Sequence, residues 1–180
     1  MDRDRGAAGV KRGRLVAIDG LDLRSVRAAA REAVHASGTS RAGVSLWDAS
    51  GVFHELALVR GIASPRTLLV LYAADLAFRV RWQIAPALAE GRTVVAAPYV
   101  ATAMAFGRAV GVPAAWLANL LRFPPRPTVA RIVESERRPL THASGFVDVA
   151  WERWAEPAGV DADAFTREIS RHLRPRRARR

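Results

Sequence analysis

Four short apolar runs, Leu15 to Asp19, Val44 to Trp47, Thr93 to Ala96 and Val129 to Val133, alternate along this chain with segments patterned as helices. Buried strands joined by helical connections imply a parallel sheet, because parallel neighbours need a crossover long enough to carry the chain back. The expected fold class is therefore α/β, with three layers and a mostly parallel central sheet flanked by helices. Ser25 to Ala36 reads as the first crossover helix, closed by Gly38. A long helix opens at Ser64-Pro65, with Ser as N-cap and Pro in the first turn, and ends between Pro86 and Glu90, before Gly91. Thr102 to Val110, Ala114 to Leu121, Gly145 to Ala155 and Ala162 to Leu173 are read as helices, and Arg137 to Ser144 as a loop. No internal linker divides residues 14–173, so one domain is expected between a basic segment 1–13 and an arginine-rich tail 174–180.

At 180 residues, half of them apolar, the chain can build one respectable core. It has no cysteine, which excludes disulfides and thiolate metal sites and makes a reducing, cytoplasmic setting the simplest expectation. The start, Met1-Asp2-Arg3-Asp4-Arg5-Gly6, is charged rather than apolar, against a signal peptide. No run reaches the roughly 18 apolar residues of a membrane span, so no membrane partner is expected. The four histidines, His35, His54, His142 and His172, show no ligand spacing, and no nucleophile motif is present. A net charge of +11 points to anionic partners, yet arginine supplies all but one of the 28 basic residues. Arginine with abundant alanine is also the imprint of a GC-rich genome. Arg174, Arg176, Arg177, Arg179 and Arg180 then have two readings, a solvated tail or a nucleic-acid-binding arm.

The first strand runs into Gly20-Leu21-Asp22-Leu23-Arg24-Ser25-Val26-Arg27. This stretch has the frame of the phosphate-binding loop GxxxxGK[ST] without its chemistry. In that loop a second glycine lets backbone N–H groups close on phosphates, a lysine reaches the outer phosphates, and a hydroxyl holds Mg²⁺. Those three positions carry Ser25, Val26 and Arg27, and the single lysine, Lys11, precedes the strand.

Further on, Ser64-Pro65-Arg66-Thr67-Leu68-Leu69-Val70-Leu71-Tyr72-Ala73-Ala74-Asp75-Leu76, then Ile84-Ala85-Pro86-Ala87-Leu88-Ala89-Glu90-Gly91, then Val94-Val95-Ala96-Ala97-Pro98-Tyr99 through Phe106 follow one another in order. They resemble the SPxTELLLFAADR, IxPALxxG and VIxDRYxxSxxAYQ motifs of thymidylate kinases, P-loop enzymes that transfer a phosphoryl group from ATP to dTMP. Asp19-Gly20-Leu21-Asp22 similarly overlies the EGID that opens the family's loop, and Val44 to Gly51 its TREPGG stretch. The resemblance covers about two-thirds of the chain and implies a P-loop-NTPase-type fold.

It also implies a degenerate site. Trp47, Leu76, Ala97 and Pro98 stand where the family has polar groups that hold nucleotide and metal, and Gly107 stands at its glutamine. Asp48, Asp75, Tyr99 and Phe106 complete the implied cleft, and Arg137 and Arg138 are the only arginines of a shortened lid. Phosphoryl transfer rests on positioning and charge stabilisation, and losing one preorganised donor typically costs about 3–4 kcal/mol. The expectation is a degenerate, non-catalytic binding or assembly protein, with no catalytic residue, no metal and no cofactor. Two alternatives stay open: a working kinase, using ATP and Mg²⁺ with Arg24 or Arg27 at an unconventional phosphate site, or a nucleic-acid-binding module. A homodimer through the helix Ser64 to Leu88 is expected from its apolar character on all sides, as is room for a protein partner.

Overall fold

The computed structural model describes residues 13–38, 42–48, 51, 55, 64–133 and 145–173. Among them, four strands form one sheet: β1 (Arg14–Gly20), β2 (Ala42–Leu46), β3 (Thr93–Ala97) and β4 (Val129–Val133). Their order is β2-β3-β1-β4 and every pairing is parallel, with Leu15 opposite Val94, Val44 opposite Val95, and Ala17 opposite Ala130. The predicted α/β class therefore holds, with the sheet wholly parallel across the described strands.

Alternation along the strands divides the core between two faces. Ile18, Val95 and Ala97 pack against Val26, Ala29 and Ala30 of α1 (Leu23–Ala36). Leu15, Ala17, Val94 and Ala96 face the larger cluster. That cluster is built from α2 (Pro65–Arg79), α3 (Val100–Ala109), α4 (Ala114–Leu120), α5 (Phe146–Ala150) and α6 (Ala162–Leu173). Only apolar side chains of modest size meet on the α1 face, which lets that helix lie close to the strands.

The entry to α2 follows the sequence reading: the Ser64 hydroxyl accepts from the Thr67 amide, and Pro65 opens the first turn. The helix then widens into a π-helical turn, Val80–Ile84, before resuming over Ala85–Ala89. The same device recurs after α5, where Trp151–Ala155 is π-helical. Each π turn is followed two residues later by a proline, Pro86 and Pro157. Proline lacks an N–H and its ring presses on the carbonyl four residues back, and a wider turn relieves both problems. In each case the residue before the proline donates five residues back, Ala85 to the Val80 carbonyl and Glu156 to that of Trp151. Both segments were read as continuous helices from sequence. The prolines explain why they are not regular.

One carboxylate ties the middle of the fold together. Asp19, buried at the end of β1, accepts hydrogen bonds from the Tyr99 amide (2.9 Å), the Thr102 amide (2.9 Å) and the Thr102 hydroxyl (2.8 Å). It thereby satisfies the amide end of α3, and the Thr102 oxygen in turn accepts from the Gly20 amide at 3.2 Å. Burial pushes the Asp19 carboxyl above its ordinary range, against the pull of these hydrogen bonds. Asp19→Ala should leave two buried amides without an acceptor and lower stability by roughly 2–6 kcal/mol. Asp19→Asn, which keeps an acceptor, should lose less. Urea unfolding midpoints compare the three proteins, and an alanine variant as stable as the parent would refute this role.

Candidate functional site

The turn from β1 into α1 shows how the loop frame is used. Helix α1 starts at Leu23, two residues earlier than the sequence reading placed it. Its N-cap is Asp22, in extended backbone, whose carboxylate accepts from the amides of Arg24 (3.2 Å) and Ser25 (3.1 Å) and from the Ser25 hydroxyl (2.5 Å). Partial burial of Asp22 opposes its ionisation, but the Ser25 hydroxyl, the two amides and the charge of Arg24 outweigh it and hold the carboxyl below its ordinary range. A helix N-terminus attracts anions through its free N–H groups and its dipole. Here the chain's own anion already occupies it.

The space in front of that turn is filled as well. Val26 is buried against Gly20, where an added Cβ would lie 2.8 Å from the Val26 methyl. Gly145, the N-cap of α5, lies so close to α1 that a Cβ there would sit 3.0 Å from the Leu23 Cβ. Phe146 follows it, also buried. Between Gly20, Leu23, Val26, Pro98, Gly145 and Phe146 remains a cavity of only about 10 Å³. That is room for about one water at most.

An aromatic cluster fills the adjoining volume. Trp47 stacks on Tyr72 at 5.1 Å between ring centroids, with planes 12° apart. Phe146 meets both edge-on, at 5.6 Å and 4.6 Å, and Phe106 packs edge-on against Phe146 at 5.3 Å. Such offset-stacked and T-shaped contacts suit the ring quadrupoles and add to burial. The hydroxyl of Tyr72 donates to the Tyr99 carbonyl, and that of Tyr99 to the Pro125 carbonyl at 2.6 Å. Burial pushes both phenols well above their ordinary range.

Beside the cluster lies a buried ion pair. Arg79 reaches one turn back to Asp75 (Nε to Oδ2, 2.7 Å) and donates to the Pro98 carbonyl at 3.0 Å. The other Asp75 oxygen accepts from the Asp48 amide at 3.0 Å. Asp48 itself has φ of +46°, a left-handed conformation that aspartate tolerates better than most residues. Asp48 and Asp75 are thus brought together, as the resemblance implied. Their bond runs from backbone to carboxylate, and Asp75 is committed to Arg79. The peptide between Ala97 and Pro98 is cis.

The chain matches no family model and no curated protein. Among solved structures, a crystal structure of thymidylate kinase from Ehrlichia chaffeensis matches it with a TM-score of 0.58. The match covers 68% of this chain and 71% of that one, at 15% sequence identity. The fold is shared with that thymidylate kinase. Identity this low speaks for the fold and leaves the chemistry to the site.

Against the thymidylate kinase pattern, Gly20, Asp22, Ser25, Val26 and Arg27 all gather at the β1–α1 turn, with Arg24 exposed beside them. Trp47, Leu76, Ala97, Pro98 and Phe106 are all buried, and Tyr99 is buried with them. The segment read as a shortened lid, residues 134–144, and the arginines of 174–180 lie outside the described residues, as do His54 and His142. Gly145, Phe146 and Asp148 were not singled out from the sequence. Their only signal was an apolar helical pattern opening on a glycine, which says nothing about what the helix covers.

Asp148 is a second perturbed carboxyl beside the turn. It is buried, its Oδ2 accepts from the Gly145 amide at 3.2 Å, and its Oδ1 has no hydrogen-bond partner. Burial pushes its pKa up to about 7, opposed by the Gly145 amide and reinforced by the charge of Asp22. A carboxyl whose folded value lies above its unfolded value of 3.8 binds more protons folded than unfolded across the interval between the two. Stability is therefore full below the unfolded value and falls as pH rises toward 7. Asp148→Asn keeps an acceptor for Gly145 and removes the titration. It should flatten the decline between about pH 4 and 7 and gain on the order of 2–4 kcal/mol at pH 8. Parallel curves for the two proteins in pH-dependent urea unfolding would contradict this.

Proposed function

We propose that this chain uses the thymidylate kinase fold without its phosphoryl transfer, as a non-catalytic binding or assembly protein. The observation that carries the reading is the Asp22 carboxylate on the amide end of α1. A triphosphate brought there would displace one anion with another and meet the apolar surface of Leu23, Val26 and Phe146. An unpaired charge buried among such groups costs several kcal/mol. Leu76, Ala97 and Pro98 supply no cation, and the buried Arg79 binds Asp75 through Nε and the Pro98 carbonyl through Nη1. In this reading no metal or cofactor is required.

The assembly part rests on the outer face of α2. Leu68, Leu69, Tyr72, Ala73 and Leu76 turn inward, whereas Val70, Ala74, Phe78 and Trp82, spaced four residues apart, form one exposed row. Val70 is 48% exposed, Phe78 49% and Trp82 65%. Of the residues read from sequence as surrounding the helix, Phe78 is the exposed one, at about half its surface, and Val70 and Trp82 extend its row. At about 25 cal/mol per Å² of apolar surface, covering this row with its own copy is favourable. A twofold pairing places identical rows together.

Three measurements test the proposal. A coupled assay should show no dTMP-dependent ADP formation, and millimolar Mg-ATP should give no melting shift. Binding at 100 times Kd would stabilise the fold by about 2.7 kcal/mol, a visible rise. Turnover near 1–100 s⁻¹ would sink the non-catalytic reading, and slow turnover abolished by Arg24→Ala would favour an unconventional kinase. Light scattering at micromolar concentration should report a dimer that Phe78→Glu with Trp82→Glu converts to monomer. A monomeric parent would overturn the pairing and leave the catalytic question untouched.

A further inference from the structure

Among the described residues, a second opening lies on the other side of α3 from the filled turn, with Tyr99 between the two. An open groove of about 910 Å³ runs between β1, β4, the outward side of α3, the segment that leads into β4, and the last turn of α6. Its size is at the upper end for ligand sites. The floor is apolar, made by Ala17, Ala101, Met104, Leu121 and Ala130. The rim is basic, carrying Arg108, Arg122, Arg126, Arg171 and His172 from three separate parts of the chain.

Charge on this rim is not internally balanced. Arg171 and His172 share one exposed carboxylate, Glu168. Among the described residues Arg108, Arg122 and Arg126 have no acidic partner. The acid at the base of the groove, Asp19, is buried and engaged by the amides of Tyr99 and Thr102. Phe123, the sequence neighbour of Arg122 and Pro124, is exposed but is not one of the residues lining the groove. Leu173 lines the groove, and the sequence continues from it as Arg174-Pro175-Arg176-Arg177-Ala178-Arg179-Arg180.

We propose that this groove binds single-stranded nucleic acid. Cations spread around a rim suit a chain of phosphates better than one phosphate group, which would call for converging donors. An apolar floor accepts unpaired bases, which have hydrophobic faces in any sequence. A duplex keeps its bases stacked inside and would leave the floor empty. The groove shares no residue with the turn at Asp22, so the inference goes beyond the loss of catalysis and stands independently of it.

A fluorescein-labelled oligothymidylate of about twelve nucleotides is the probe, titrated with the full chain across roughly 50–200 mM salt. The parent should bind, with affinity falling steeply as salt rises. Replacing Arg108, Arg122 and Arg126 together with Ala, with the 174–180 segment intact, should weaken binding at least tenfold. Loss of three phosphate contacts should also make the log–log salt slope shallower by about 2. Truncation after Leu173 should leave binding that the triple substitution still weakens. Arg122→Glu alone, in the segment before β4, provides the same comparison should the triple variant melt early. Several outcomes would overturn the groove. One is a well-folded triple or Arg122→Glu variant that binds like the parent. Others are binding that vanishes entirely with the truncation, no binding at the lowest salt, or equal binding of duplex. Displacement of the probe by ATP at matched phosphate concentration would mark a mononucleotide site instead.

Discussion

Where α1 begins determines what the β1–α1 turn can hold. Asp22 lies two residues past Gly20, and its carboxylate folds back onto the amides of Arg24 and Ser25. A side-chain cap of this kind contributes about 1 kcal/mol to a helix, and it does so by consuming the donors that an open loop would offer a ligand. The helix therefore starts early and Leu23 becomes its first buried residue. Gly145 and Phe146 can then close over it. A phosphate loop needs the opposite arrangement, with amides unsatisfied until the ligand arrives.

The rest of the cleft is likewise closed from within. Arg79 is 1% exposed, with Nε on Asp75 and Nη1 on the Pro98 carbonyl, and its buried Nη2 has no hydrogen-bond partner among the described residues. Removing one member of a buried pair strands the other charge, typically at about 3–5 kcal/mol, so the pair is self-preserving once formed. Trp47 fills space with a large ring that stacks on Tyr72. Phe146 then joins the Trp47–Tyr72 pair to Phe106. The volume beside the turn is thereby part of the hydrophobic core.

Two surfaces remain unlike the interior they cover. The outer row of α2 is apolar, and the groove rimmed by Arg108, Arg122 and Arg126 is basic. They lie on different elements and call for different chemistry, one a matching apolar face and the other an extended anion. β4 also ends the sheet on its side and is largely exposed at Val129, Ala130 and Arg131. The Arg131 side chain, paired with Glu32, places charge along that edge, which disfavours edge-to-edge association.

The sequence by itself determined the layout. Alternating apolar runs fixed the strands, β4 and α6 to the residue, because strand and helix periodicities are local properties of the chain. The substitutions at Ser25, Val26 and Arg27 were equally plain, since a missing lysine or hydroxyl needs no structure to be noticed. The two π turns could have been suspected from Pro86 and Pro157, but the pattern of apolar residues runs through them unchanged. What only tertiary structure decided was which groups met across large sequence separations. Phe146 stands about a hundred residues from Trp47, and Asp148 more than a hundred from Asp22, yet one pair builds the core, and in the other the charge of Asp22 adds to the burial that raises the Asp148 carboxyl to about 7. The basic groove is of the same kind: its arginines belong to three segments with no shared motif, and only packing of α3, α6 and β4 around one opening brings their charges together.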